Sequence, residues 1–425
     1  ALSKPDSTMH CIVYGVSGSG KSSTVFYNNF LVDNGSSFIA RDVPKDFVRT
    51  AGFLARSGYA IKVINPTDAL LSTDGVNVLA GEMSKGDIAR VAQMIISASF
   101  TKKDYWVISA EEWCGVFLTI LKQCCPEENH NLSGLKFLVE SFIADVHALD
   151  HLVAIHGDDE LIRAFSAIIA IPEKSRQSTL TTLKSSLSRI DENIALVTSI
   201  STFNWTDLRG KKTAVFIQSD VLDDEFLSLV QNLLYTDILR SLMKSLPEKD
   251  DLPISIFLDE CSSLSIGKIL ETSFLNLRKY RVGLCCAFQS PQSIESTYSK
   301  SIAEVIQANA FAKLYLPGMD LDTAKYLQEY IGYEEVRKDN GSKVKEPIMS
   351  AFAIRTLKGK AVLLTGNNPA SIIRLKPFYK IRRMRKRLTI PMPALESLID
   401  KLPNGKNLTQ INLNLRAQHQ DNETK

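Results

Sequence analysis

The sequence predicts an α/β chain, a mainly parallel sheet flanked by helices, with an all-α domain inserted into it. Three observations predict this. A glycine-rich loop, Gly15-Val16-Ser17-Gly18-Ser19-Gly20-Lys21-Ser22, lies between a short apolar run and a helical stretch. Strand-like runs alternate with helical ones at both ends of the chain, the pattern of a parallel sheet. Between them, residues 81–198 lose nearly all strand-like character and place apolar residues at helical spacing. The expected organisation is a nucleotide-binding domain in two parts, 1–80 and 199–390, a helical insertion over 81–198, and a C-terminal tail over 391–425.

The first strand is Cys11-Ile12-Val13-Tyr14, and the helix after the loop begins near Ser22. A second strand is expected over 35–42, then a helix from Val43-Pro44 to about Ser57, then a third strand over 59–64 stopped by Asn65-Pro66. In the insertion, Ile88, Val91, Ala92, Ile95 and Ile96 mark one helical face and Trp113, Val116, Phe117 and Ile120 another, with breaks near 126–133 and 156–157. Trp106 and Trp113, seven residues apart, are expected in the core. Strands resume at 212–218, followed by a long helix over 227–246. Further strands fall at 253–258, closed by Asp259-Glu260, and at 281–288, closed by Gln289, with two more at 310–315 and 361–365. The polar stretch 404–425 is expected to be loose.

Strand, glycine-rich loop and helix form the setting in which G-x-x-x-x-G-K-[ST] is a P-loop. Glycines let backbone N–H groups curl around phosphate oxygens, and the helix start adds positive potential. Gly15, Val16, Ser17, Gly18, Ser19, Gly20, Lys21, Ser22 and Ser23 are the candidate ATP-binding residues. Lys21 is expected to reach the β- and γ-phosphates, and Ser22 to ligate Mg²⁺. In an open parallel sheet, ligands sit at the carboxyl ends of strands, where Tyr14, Asp259, Glu260 and Gln289 converge. Asp259 suits the second Mg²⁺ contact, Glu260 orients or deprotonates the attacking water, and Gln289 senses the γ-phosphate. Arg278 is the candidate arginine finger for a neighbouring subunit's nucleotide, with Lys279 and Arg281 as competitors.

Composition bounds the rest. With 44% hydrophobic and 23% charged residues, the 425-residue chain is that of an ordinary folded protein, and its net charge is only +3. The charge is unevenly spread: 81–198 holds 16 acidic and 11 basic residues, about −5, leaving about +8 elsewhere. That acidic block is a candidate protein-docking surface or a set of solvated helix faces. Residues 374–387 carry eight basic side chains and no acid, interleaved with Phe378 and Tyr379. Such a run suits phosphate backbones or acidic membrane surfaces, or is a solvated tail. The seven cysteines form no C-x-x-C pair, which fits buried thiols in a reducing compartment. His147 and His151 lie one helical turn apart without an evident third zinc ligand. No apolar run approaches the roughly eighteen residues of a membrane span. The chain starts at Ala1 rather than Met, so an N-terminal anchor removed upstream is part of the expectation.

Taken in order, these residues resemble the VirD4/TraG/TraD-type coupling proteins of conjugation and type IV secretion, which are RecA-like, FtsK-related ATPases. The resemblance runs from His10 to about Tyr379. It rests on the P-loop and its preceding strand, Ser36 to Asp46, Val63-Ile64-Asn65-Pro66, Asp104-Tyr105-Trp106, Leu258-Asp259-Glu260, Arg278-Lys279-Tyr280, Phe288-Gln289-Ser290, and Ala324-Lys325-Tyr326 with Ile331-Gly332. The chain departs from the family at Asp42-Val43-Pro44-Lys45-Asp46, where a valine is inserted and Gly-Glu is missing. It departs again at Cys261, in place of an aromatic residue, and at Ser265. The resemblance implies a homo-hexamer at the cytoplasmic face of a bacterial inner membrane. ATP hydrolysis there drives single- or double-stranded DNA or protein toward a secretion channel. It makes the insertion the all-alpha domain that receives relaxase or effector proteins, and inner-membrane secretion components further partners. Two other readings carry similar residues: a substrate-receptor platform with little ATPase activity, and another RecA-like translocase of the VirB4 or FtsK/HerA kind.

Overall fold

The computed structural model describes residues 8–100, 104–220, 224–337 and 343–402; the expectation for 404–425 lies outside them. The described residues fall into two compact units, one of 8–62, 205–218 and 238–394, the other of 63–204, 219–237 and 395–402.

The first unit is built on a nine-stranded sheet ordered β11-β10-β7-β1-β6-β5-β2-β4-β3. The strands are β1 Cys11–Tyr14, β2 Ser37–Asp42, β3 Ala60–Ile64, β4 Thr213–Gln218, β5 Ile254–Leu258, β6 Val282–Phe288, β7 Ala312–Tyr315, β10 Lys360–Thr365 and β11 Ser371–Arg374. β1 pairs in parallel with β6 and β7, β5 with β6 and β2, and β2 with β4, while β10 and β11 join antiparallel beyond β7. β2 and β4 are buried at every position, as strands covered on both faces must be. The α/β fold with a mainly parallel sheet, predicted from strand–helix alternation, is therefore the observed one.

The helix after the P-loop runs through Ser22–Phe26, wound as a π-turn, and Tyr27–Phe30. Its Phe26 and Phe30 are fully buried among Phe38, Phe47, Phe216 and Phe257. Phe30 lies 4.9 Å from Phe38 and 5.0 Å from Phe257, ring centre to ring centre. Each buried phenyl contributes about 1.5–3 kcal/mol, so the helix that carries Lys21 and Ser22 is seated by the strongest apolar contacts available.

The second unit is helical from Lys85–Ser97 to Glu192–Val197, with helices over Tyr105–Cys124, Leu132–Ala144, Asp150–His156, Asp159–Ala170 and Glu173–Leu187 between them. Its core takes in the predicted faces, Ala92, Ile95, Ile96, Trp113, Phe117 and Ile120 among them, and is closed by Leu227, Val230 and Leu233. Trp106 departs from expectation: Trp113 is buried, whereas Trp106 is 36% exposed. Both lie on one helical stripe, but seven residues advance the chain about 10 Å along the axis. Trp106 lies in the first turn, where Val107 beside it is buried while Tyr105 and Trp106 are exposed.

Other differences have local causes. The helix expected over 227–246 is Asp224–Ser241; Pro247 disfavours helical geometry at Leu246. The hairpin of β8 (Tyr333–Arg337) and β9 (Lys343–Pro347) was not foreseen, because neither strand alternates apolar with polar residues. The basic run is not a tail but a turn at Phe378–Lys380 and a helix at Arg382–Leu388, in which Met384 is buried. Cys124, Cys125 and Cys286 are buried as expected, and Cys285 is half-buried.

Candidate nucleotide site

β1 leads straight into the P-loop. Gly15 N–H donates to the Phe288 carbonyl at 3.0 Å, which pins the loop to the end of β6. Gly18 and Gly20 have φ of +76° and +92°, backbone that side chains rarely tolerate. Gly15 is needed for a different reason: a β-carbon there would strike Ser19 Oγ and press on Leu316. Val16, Ser17 and Gly18 form the exposed crown of the loop. Ser23 Oγ and Thr24 Oγ1 bond back to the Gly20 carbonyl at 3.3 and 2.6 Å and fix the turn into the helix.

Lys21 is buried, and its Nζ donates to the carbonyls of Gly15 at 2.6 Å and Val16 at 3.4 Å. No carboxylate pairs with it among the described residues. A buried ammonium with only carbonyl partners, inside a loop of inward-turning amides, fits a phosphate chain.

Ser22 Oγ donates to Asp259 Oδ2 at 3.0 Å. The two proposed magnesium ligands, 237 residues apart in sequence, are thus in contact. Hard oxygen donors of this kind suit Mg²⁺. Asp259 is buried, and burial pushes its carboxyl pKa up; the Ser22 hydroxyl works the other way, and the neighbouring Glu260 charge adds to the rise. A group so placed is poised to gain from a cation.

Glu260 follows in a left-handed backbone conformation, φ +50° and ψ +53°, which re-aims the chain as it leaves β5. A non-glycine residue there carries local strain. The residue that holds it was not among the predicted site residues. Arg41, fully buried at the end of β2, donates through Nη1 to the carbonyls of Asp259 at 2.9 Å and Glu260 at 2.7 Å. Next to it, Asp42 accepts the amides of Asp46, Phe47 and Val48 at 2.9–3.1 Å and so folds the loop whose valine insertion marks a departure from the family. An Arg-Asp pair closing an otherwise apolar strand was the available signal.

Gln289 is exposed, immediately after β6 and hence beside the start of the P-loop. Lys21, Ser22, Asp259, Glu260 and Gln289 therefore share one edge of the sheet. Arg278 does not. It precedes β6, so the seven-residue strand, about 23 Å long, separates it from its own chain's P-loop. There it lines a cleft of about 480 Å³ with His10, Phe274, Phe311, Lys313 and Tyr330. His10 is buried; its Nδ1 accepts the Leu284 amide at 3.2 Å, and burial, reinforced by the Arg278 charge, holds its pKa down at about 4 against an opposing hydrogen bond at Phe274. Burial also lowers the Lys313 pKa. His147, expected one helical turn from His151, lies instead in the turn before the Asp150–His156 helix and pairs with Asp150 at 2.7 Å.

Comparison with known proteins places this geometry. The family model for type IV secretory system conjugative DNA transfer matches residues 2–377. A VirD4 protein of Rhizobium rhizogenes is 22% identical over 412 residues, 91% of this chain and 61% of that protein. A VirD4 protein of Agrobacterium fabrum is 24% identical over 222 residues, 48% of this chain and 33% of that protein. The chain thus spans less than two thirds of the length of these relatives. Among solved structures, the plasmid coupling protein TrwB in complex with ADP and Mg²⁺ has a TM-score of 0.60 at 18% identity, over 88% of this chain and 87% of that one. TrwB with a non-hydrolysable ATP analogue gives 0.58 at 18% identity, over 93% and 88%. VirB4 of Thermoanaerobacter pseudethanolicus gives 0.55 at 14% identity, over 86% and 89%. At these identities the structural likeness shows the fold, and the family match decides between the relatives: the chain belongs to the type IV secretory system conjugative DNA transfer family, the VirD4/TraG-type coupling proteins.

Proposed function

We infer that the chain is an ATP-hydrolysing motor that recruits DNA and/or protein substrates and passes them to a type IV secretion or conjugation channel. One observation carries the reading: Ser22, next to Lys21 in the P-loop, donates to Asp259, 237 residues away, and so sets the phosphate-binding loop after β1 against the carboxylate that closes β5. TrwB, which shares this fold, is known in complex with ADP and Mg²⁺ and with a non-hydrolysable ATP analogue, which supports a nucleotide-binding reading.

Lys21 binds the phosphates through its ammonium, and the loop amides orient them. Ser22 and Asp259 would hold Mg²⁺, which supplies charge neutralisation on the phosphates. Glu260 accepts a proton from the attacking water, and Gln289 positions that water against the terminal phosphate. Arg278, on the opposite edge, acts in a neighbour's site within a hexamer. The partners are DNA, relaxase or effector proteins received by the helical unit, and inner-membrane secretion components at the cytoplasmic face.

The test is ATP hydrolysis with and without DNA. Lys21→Ala should lower the rate by at least about 100-fold; a variant that hydrolyses like the parent would sink the assigned site. The receptor reading has its own observation. Tyr105, Trp106 and Ile108 are 70%, 36% and 46% exposed at the start of one helix of the second unit. A Tyr105→Ser/Trp106→Ser chain that captures relaxase as well as the parent argues against that surface.

A further inference from the structure

We propose that residues 374–387 form a docking surface for the phosphate backbone of nucleic acid, fastened to the nucleotide-binding helix. This deepens the DNA-transfer reading and rests on it.

From Pro347 to Leu395 the chain contains eleven basic residues and no acidic one. Within 374–387, Arg374, Lys376, Lys380, Arg382, Arg383, Arg385 and Lys386 are exposed. None of these seven side chains has a hydrogen bond or ion pair among the described residues. Surface cations of a globular protein are normally mixed with acids that screen them. Seven without a single counter-charge maintain a positive potential that costs self-repulsion unless a polyanion neutralises it.

The surface is also built rather than trailing. Asn28 Nδ2, on the P-loop helix, donates to the Lys376 carbonyl at 2.9 Å. The Phe378 ring stacks on Tyr27 of the same helix at 4.3 Å. Met384 is buried, and the Arg387 guanidinium lies 4.4 Å over Phe53 while donating to the Leu31 carbonyl. Beyond it, the Ile390 and Pro391 carbonyls sit so close to Gly52 that no β-carbon fits there. Arg387 is thus the anchor, and the remaining cations are held outward with their backbone already ordered. A pre-ordered surface loses less entropy on binding than a flexible basic tail.

Nucleic acid fits better than a membrane. Phosphate neutralisation needs spread cations, and an aromatic ring among them can stack a base; Tyr379, 52% exposed, supplies that ring. Binding at a bilayer is strengthened by apolar side chains that enter it. Between 374 and 391, Tyr379 is the only large hydrophobic side chain exposed among the described residues.

The experiment uses the full chain and a fluorescent oligothymidylate of about 20 nucleotides, titrated between about 50 and 200 mM salt. Phosphatidylglycerol-rich vesicles form the second arm. Arg382→Gln/Arg383→Gln/Arg385→Gln/Lys386→Gln removes four charges while keeping Phe378, Met384 and Arg387. A fluorescent ATP analogue bound equally well by parent and variant shows that the site still folds. The expected result is oligonucleotide affinity weakened at least about 10-fold, with the salt slope smaller by up to roughly 3. Lys174→Gln/Lys184→Gln, in the helical unit, should change neither. Equal affinity and slope in parent and quadruple variant would overturn this surface while leaving the DNA-transfer reading intact. A parent that binds no oligonucleotide overturns both, and one that binds only vesicles reassigns the surface to lipid headgroups.

Discussion

At the carboxyl edge of β1, β5 and β6, three charged groups have partners within the chain: Lys21 has two carbonyls, Asp259 has Ser22, and Arg41 spans the Asp259 and Glu260 carbonyls. At the amino edge of the same strands, Arg278 and Lys313 line a cleft whose lining residues include no carboxylate. The difference teaches where a single subunit is sufficient. One edge gathers the P-loop, Ser22 and Asp259, the groups proposed to grip a nucleotide. The other presents cations with no carboxylate beside them among the described lining residues, as expected of a residue acting on a neighbour's phosphates.

The largest expected effect breaks or confirms that division. Arg278→Ala should lower hydrolysis by about 1000-fold, at the low end for an arginine finger, with nucleotide affinity unchanged. Mixing Arg278→Ala with Lys21→Ala should recover part of the activity, because each variant supplies what the other lacks. If the mixture stays as inactive as its components, Arg278 works within its own chain, or not at all, and the two edges are not halves of one site.

The amino edge can also be examined through His10. Its pKa of about 4, against 6.5 in the unfolded chain, means that the folded state takes up fewer protons than the unfolded one between those values. Stability is therefore full above pH 6.5 and falls as the pH drops toward 4, by about 3 kcal/mol in all. His10→Asn keeps an acceptor for the Leu284 amide without a titrating ring. Urea unfolding of both proteins from pH 7 to 4 should show a slope in the parent that the variant lacks. Parallel curves would place His10 in a wetter setting than the cleft described here.

Much of this was legible in residues alone, because the P-loop and the carboxylates after β5 impose chemistry at fixed backbone positions. Lys21, Ser22 and Asp259 could be assigned on motif and strand end, and the sheet then had to bring them together. Arg41 was missed: an Arg-Asp pair closing an apolar strand marks a buried charge, but the carbonyls that Arg41 holds leave no mark in a sequence. The same holds for the basic run. Its charges left a phosphate backbone, an acidic membrane surface and a solvated tail open, but the contacts that seat it are made by Phe378, Met384 and the Arg387 guanidinium, of which Phe378 and Met384 look like incidental breaks in the charge pattern.

The smallest predicted effect bears on the carboxyl edge and on why it needs no neighbour for its geometry. Glu260 holds a left-handed backbone that it would relax if free, and two hydrogen bonds from Arg41 oppose that relaxation. Arg41→Leu removes both donors, so the Glu260 carboxylate should lose its aim while the P-loop keeps its grip. The expected outcome is a kcat about 10-fold lower, with affinity for a fluorescent ATP analogue within about 3-fold of the parent. Arg41→Lys, whose ammonium can reach a carbonyl but lacks the planar fork, should recover only part of the rate. A Leu variant that loses nucleotide affinity and kcat together would mean that Arg41 supports the whole edge, and that the ends of β2 and β5 are not independently positioned from the phosphate loop.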